Sequence, residues 1–129
     1  LRHLDGWTAA RQANATWYRS AFAGAPDLVV PVERPGRRHI YNQFVVRTPR
    51  RDELRAALGE AGIGTEVYYP VPFHRQACFA NVPSARREFP VSAAAAATSL
   101  ALPVHPELTV DQREAVASRI AKTLGGSAE

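Results

Sequence analysis

Residues 39–62, HIYNQFVVRTPRRDELRAALGEAG, constrain the fold of this chain more than any other stretch. The first nine alternate with a period of two and are rich in β-branched and aromatic side chains, the mark of a strand. One face would carry Ile40, Asn42, Phe44 and Val46 toward a core, with Asn42 as the intruder. The other would carry His39, Tyr41, Gln43, Val45 and Arg47 and is markedly polar. Thr48 can cap a helix and Pro49 suits a first helical position. Leu54, Ala57, Leu58 and Ala61 then recur at helical spacing, and Gly62 supplies a stop.

The other strand signals are short. Leu28–Val32 is apolar, but Pro31 demotes it to an edge strand or a strand end. Thr65–Tyr69 and Leu100–Val104 are brief extended runs. Three more helices are expected. Residues 4–23 carry Asp5 as a cap, with Leu4, Trp7, Trp17, Tyr18, Ala21 and Phe22 at helical spacing, and Gly24, Ala25 and Pro26 end the run. Ser92 can cap an alanine-rich helix reaching Thr98. Thr109 and Gln112 form a capping box for a final helix whose apolar stripe is Val116, Ile120 and Leu124 and whose stop is Gly125-Gly126. Residues 70–90 hold Pro70, Pro72, Pro83 and Pro90 and read as a long irregular segment, which in a small domain is usually functional or mobile. This order predicts an α+β fold: a small, mostly antiparallel sheet with helices packed on one face.

At 129 residues the chain is the size of one domain. It opens on Leu1 and contains no methionine, which fits a piece of a longer protein. Its apolar runs are too short to span a bilayer, and the start has no signal-peptide pattern. The single cysteine, Cys78, excludes an internal disulfide and fits a reducing, cytoplasmic setting. Net charge is +4, and fifteen of the sixteen basic residues are arginine. The arginines are scattered in pairs, among them Arg37-Arg38, rather than drawn into one basic run. A solvated surface and a phosphate-bearing small ligand both fit this pattern; nucleic acid fits it poorly.

The four histidines, at 3, 39, 74 and 105, lack metal-ligand spacing, so no metal site is expected. His74 and Cys78 stand four apart, but the prolines around them oppose the regular helix that would make them a catalytic pair. No glycine-rich phosphate loop is present. GIGTEVYYPVPFH, residues 62–74, is the richest candidate stretch. Gly62 and Gly64 permit a tight turn, and Pro70 and Pro72 impose an extended run. Tyr68 and Tyr69 would point to opposite sides, one packed and one offering its hydroxyl. A ligand-touching site and a purely structural tyrosine–proline spacer remain open at this point.

HIYNQFVVRTPRRDELRAALGEAGIGTEVYYPVPFHRQACF and FPVSAAAAATSLALPVHPELTVDQREAVASRI resemble the DegT/DnrJ/EryC1/StrS family of pyridoxal-phosphate-dependent sugar aminotransferases, as does the opening helix LDGWTAARQANATWYRSAFAG. The resemblance is to the family's carboxy-terminal part. It implies residues 1–24 as a helix leading into the small domain, 25–129 as that domain, and an absent amino-terminal domain carrying pyridoxal phosphate and its Schiff-base lysine. It implies that His39, Tyr41, Asn42, Tyr68, Tyr69 and His74 line the cleft for a nucleotide-linked keto-sugar. Arg37 and Arg38 would meet the diphosphate. The parent is expected to be a cytoplasmic homodimer. The chain has one lysine, Lys122, near its end on a helix surface, so it is not expected to hold the cofactor stably or to catalyse transamination alone. One departure stands out: the helix after Phe89-Pro90-Val91 usually carries acidic residues and here reads SAAAAATSL, a change expected to touch surface or domain packing. The alternative is a free-standing basic domain that binds nucleotides or a separate partner protein.

Overall fold

The structure, a computed structural model, describes residues 2–125. Its first element, α1 (Leu4–Ala21), carries Asp5 in the first turn, where a carboxylate complements the helix dipole. Asp5 does not cap; the N-cap residue is His3. Gly24, at φ +79°, takes the left-handed turn that leads out of the helix.

Two strands, β1 (Phe44–Arg47) and β2 (Ser99–Leu102), pair antiparallel from Phe44↔Leu102 to Arg47↔Ser99. Single bridges extend the pair on both edges, Val29 to Arg47 and Glu66 to Ala101, again antiparallel. The expected runs at 28–32 and 65–69 thus shrink to one bridging residue each. Proline accounts for both, because Pro31 and Pro70 have no N–H to offer a ladder.

The strand expected over 39–47 begins only at Phe44. Tyr41 is the reason. Its φ is +48°, and this left-handed turn slips the alternation by one position. Ile40, expected inside, is 49% exposed; Tyr41, expected on the polar face, is 1% exposed. Asn42 turns outward into solvent rather than intruding on the core.

Next, α2 (Arg51–Glu60) starts later than Thr48 would suggest. Thr48 is buried and its hydroxyl accepts from the Arg50 N–H at 3.2 Å, so it shapes the turn before the helix. Gly62 closes the helix at φ +72°, and the Ile63 N–H returns to the Leu58 carbonyl at 2.9 Å. Residues 70–90 contain three short 3₁₀ turns, Phe73–Arg75, Ala77–Phe79 and Pro83–Arg86. The alanine-rich helix α3 (Pro90–Thr98) begins at Pro90 rather than after Ser92, because proline's fixed φ already suits a first helical turn. The last helix, α4 (Val110–Gly125), has the expected capping box. The Thr109 N–H donates to Gln112 Oε1 at 2.9 Å, and the Gln112 N–H donates to Thr109 Oγ1 at 3.2 Å. Gly126, half of the expected stop, lies outside the described residues.

One core joins these pieces. Tyr18 of α1 and Phe22 just after it, Leu54 and Leu58 of α2, and Val116, Ile120 and Leu124 of α4 pack on Phe44, Val46, Leu100 and Leu102. Helices α1, α2 and α4 therefore cover one sheet face, and the fold is α+β as the element order implies. The other face, with Val45, Ser99 and Ala101, is left for something else.

Candidate functional site

A cavity of about 510 Å³ occupies that other face. Val45, Ser99 and Ala101 form its floor, Ser92, Ala95 and Ala96 of α3 one wall, and Tyr68, Tyr69, Val71 and Phe73 the opposite wall. Local sequence explains the shape. Glu66 is tied to β2 by a reciprocal backbone pair with Ala101, at 2.8 and 3.2 Å. The chain then bends at Tyr68, Pro70 and Val71 instead of running straight, and Pro72, at φ −55° and ψ 143°, leads into the turn at Phe73–Arg75. The small side chains of α3 leave the space open. The run SAAAAATSL thus shapes the cavity, beyond the surface or packing role expected for it.

Beside it lies an open groove of about 500 Å³ lined by Arg38, His39, Asn42, Gln43 and Val45. Gln43 and Val45 border both hollows, so cavity and groove meet there. Side chains of α1 hold the groove segment in place. Arg11 Nε donates to the Ile40 carbonyl at 3.2 Å, and Gln12 Nε2 donates to the His39 carbonyl at 2.9 Å. Arg19 Nη1 donates to the Tyr41 hydroxyl at 3.1 Å and lies 3.8 Å from the Glu33 carboxylate. Burial pushes the Tyr41 phenol above its ordinary pKa, and the Arg19 guanidinium opposes that shift.

Arg38, His39 and Asn42 line the groove, and Tyr68 and Tyr69 line the cavity. Both tyrosines are exposed, Tyr69 at 77%, so neither is the packed partner that alternation suggests. Tyr41 belongs to the core instead. His74 borders a third hollow of about 350 Å³ with Phe79 and Phe89, which meets the cavity at Phe73, and its ring lies 4.7 Å from that of Phe89. Its Nε2 is buried without a partner, and Cys78 is exposed. Arg37 sits in the exposed turn closed by its own N–H on the Arg34 carbonyl and lines neither cavity nor groove. Sequence reasoning left Gln43, Gln76, Ser92 and Ser99 out of the site, although all line the cavity. Gln43 was legible, since it alternates with Val45 on the strand face away from the core.

Many arginines are taken up by the fold. Arg50 pairs with Glu53, Arg51 with Asp52, Arg75 with Glu88, and Arg113 donates to Asn14 at 3.0 Å. Among the described residues no cluster of three or more metal-ligating side chains occurs, and no helix is long and apolar enough to cross a membrane. Pyridoxal phosphate, the cofactor that the sequence resemblance implies, needs an amine for its covalent attachment. Lys122, the one lysine, is exposed on α4, which packs on the opposite sheet face from the cavity. The residues present do not fit that attachment.

Comparison with known proteins agrees with this architecture. The sequence profile of the DegT/DnrJ/EryC1/StrS aminotransferase family matches residues 1–121. A pleiotropic regulatory protein of Geobacillus stearothermophilus is 43% identical over 122 residues, covering 93% of this chain and 33% of its own length. A dTDP-3-amino-3,4,6-trideoxy-alpha-D-glucose transaminase of Streptomyces venezuelae is 40% identical over 108 residues, covering 84% and 28%. The crystal structure of S. venezuelae DesV in complex with ketimine intermediate superposes at TM-score 0.90 and 37% identity, covering 95% of this chain and 33% of that one. The chain thus spans about a third of the length of the relatives it matches. With a family profile matched from residue 1 to residue 121, and the same fold in a solved relative, the chain belongs to the DegT/DnrJ/EryC1/StrS aminotransferase family.

Proposed function

We propose that this chain is the carboxy-terminal small domain of a pyridoxal-phosphate-dependent aminotransferase that acts on a nucleotide-linked keto-sugar. Residues 25–129 are the domain and residues 1–24 the helix leading into it. The cofactor and its lysine belong to an amino-terminal domain, and the whole enzyme works as a cytoplasmic homodimer. The observation that carries this reading is the aromatic-walled cavity joined at Gln43 and Val45 to a groove bearing Arg38, His39 and Asn42. Such a pair of hollows matches a ligand with a sugar ring at one end and a diphosphate at the other. The name of the S. venezuelae transaminase supports a dTDP-linked sugar as the substrate class.

Each part of the site has a task under this reading. The faces of Tyr68 and Tyr69 flank the sugar ring, and their hydroxyls offer hydrogen bonds to its oxygens. The guanidinium fork of Arg38 and the imidazole of His39 meet phosphate oxygens. Asn42 and Gln43 orient the ligand where the hollows meet. Val71 and Phe73 keep water from the reacting end once the cofactor domain covers the cavity. Pyridoxal phosphate, when bound by that domain, supplies the electron sink for moving an amino group from a donor such as glutamate.

Calorimetric titration of the protein translated from the whole open reading frame tests the proposal. Saturable binding of a dTDP- or UDP-sugar is expected. Steeply salt-dependent binding to single-stranded nucleic acid, with no response to nucleotide-sugars, would favour a basic binding module instead.

A further inference from the structure

Asp27 and Tyr41 are the non-glycine residues with a left-handed φ among the described residues, at 55° and 48°. Aspartate tolerates this region; a bulky tyrosine is an outlier there and stays only where its surroundings hold it. Tyr41 is held at both ends. Its ring is buried beside Phe44, and its hydroxyl accepts from Arg19. Arg19 in turn faces Glu33, whose carboxylate accepts the His39 N–H at 3.1 Å. The turned backbone aims the Tyr41 N–H at His39 Nδ1, 2.9 Å away, with the two rings 4.1 Å apart. A nitrogen that accepts a hydrogen bond carries no proton, so in the neutral ring the proton resides on Nε2. That nitrogen has no partner among the described residues, and the ring borders the groove.

We propose that Arg19, Glu33 and Tyr41 are positioning residues that fix His39 as its Nε2–H tautomer and present that N–H as a donor to an oxygen of the substrate beside Arg38 and Asn42. The substrate contact rests on the reading of the groove given above; the tautomer lock does not. In the lock, the strained residue lies outside the groove and its effect is delivered through His39. Neither α1 nor Glu33 lines the groove.

The test has two arms. In the ligand-free chain, NMR should detect scalar coupling across the hydrogen bond from the Tyr41 amide nitrogen to His39 Nδ1. The coupling should be lost or reduced in Arg19→Met and Tyr41→Phe. Glu33→Ala, at the surface, serves as a third variant should either of those fail to fold. A proton on Nδ1 of the neutral ring in the unsubstituted chain, or coupling unchanged in every folded variant, overturns the lock. In the second arm, the whole-reading-frame enzyme is assayed with a dTDP-linked keto-sugar. The same variants should raise KM roughly three- to tenfold, the scale of one hydrogen bond, with kcat little changed. An unchanged KM overturns the substrate contact. Coupling observed in a protein that binds no nucleotide-sugar refutes the functional reading and the substrate contact with it, while the lock stands.

Discussion

Tyr18 carries a phenol in the middle of the core whose hydroxyl is buried without a partner. Burial raises its pKa far above the ordinary tyrosine value, with Arg113 pulling more weakly the other way. The folded state therefore keeps a proton that the unfolded chain releases above about pH 10. Stability should be fully present below that pH and fall as pH rises beyond it. Tyr18→Phe should flatten this alkaline slope in denaturant titrations, leaving the smaller part due to Tyr41. At neutral pH it should also stabilise the fold by about 1 kcal/mol, since it removes an unsatisfied buried group. Tyr69 is the opposite case, a tyrosine that the fold does not use. Tyr69→Ala should leave stability nearly unchanged and weaken nucleotide-sugar binding by the whole enzyme about tenfold, or ~1.4 kcal/mol. These tyrosines also show what residue-level reading reaches. The place of Tyr68 and Tyr69 ahead of a proline-rich segment was legible in the sequence, which left a ligand-touching site and a structural spacer both open. The burial of Tyr41 was not legible, because the positive φ of this tyrosine goes with a contact to Arg19 of α1, 22 positions away in sequence.

The elements divide by how much of their stability is local. In α4 the cap and the stripe of Val116, Ile120 and Leu124 are both written in neighbouring residues, and both form. Thr109→Ala should cost about 1 kcal/mol, measured by thermal or denaturant unfolding. By contrast α3 is nine residues long, makes no side-chain cap and has no buried residue. A helix so short depends on tertiary support. Its amides should exchange with solvent faster than those of α2 and α4, which hydrogen-exchange measurements would show. The strands were the hardest elements to place. Alternation marked residues 39–47 and short apolar or extended runs marked the others, but pairing needs free N–H groups, and prolines cut two runs to single bridges. The antiparallel ladder Val29–β1–β2–Glu66 is legible only once Ala101 is seen to serve both neighbours.

At the scale of the whole molecule, the two sheet faces are treated unequally. Three helices cover one. Over the other, Tyr69, Val71 and Phe73 present exposed apolar surface around the cavity. Fully covering a side chain such as Phe73 is worth roughly 1.5–3 kcal/mol. The 129-residue chain should therefore self-associate as concentration rises, and light scattering should show this association weakened by Phe73→Ser. The fold class was legible from the order of elements, and the family from motifs spread over most of the chain. The cavity was not, because it forms between a β-strand face, a proline-held segment and an alanine helix that meet only after folding. The most direct test is a transamination assay that compares the 129-residue chain with the protein translated from the whole open reading frame, given pyridoxal phosphate, glutamate and a dTDP-linked keto-sugar. The expected result is an amino sugar from the longer protein, strongly reduced by joint substitution of Tyr68 and Tyr69 with alanine, and none from the 129-residue chain. Amino transfer by the 129-residue chain alone, or undiminished turnover in the doubly substituted enzyme, would contradict it.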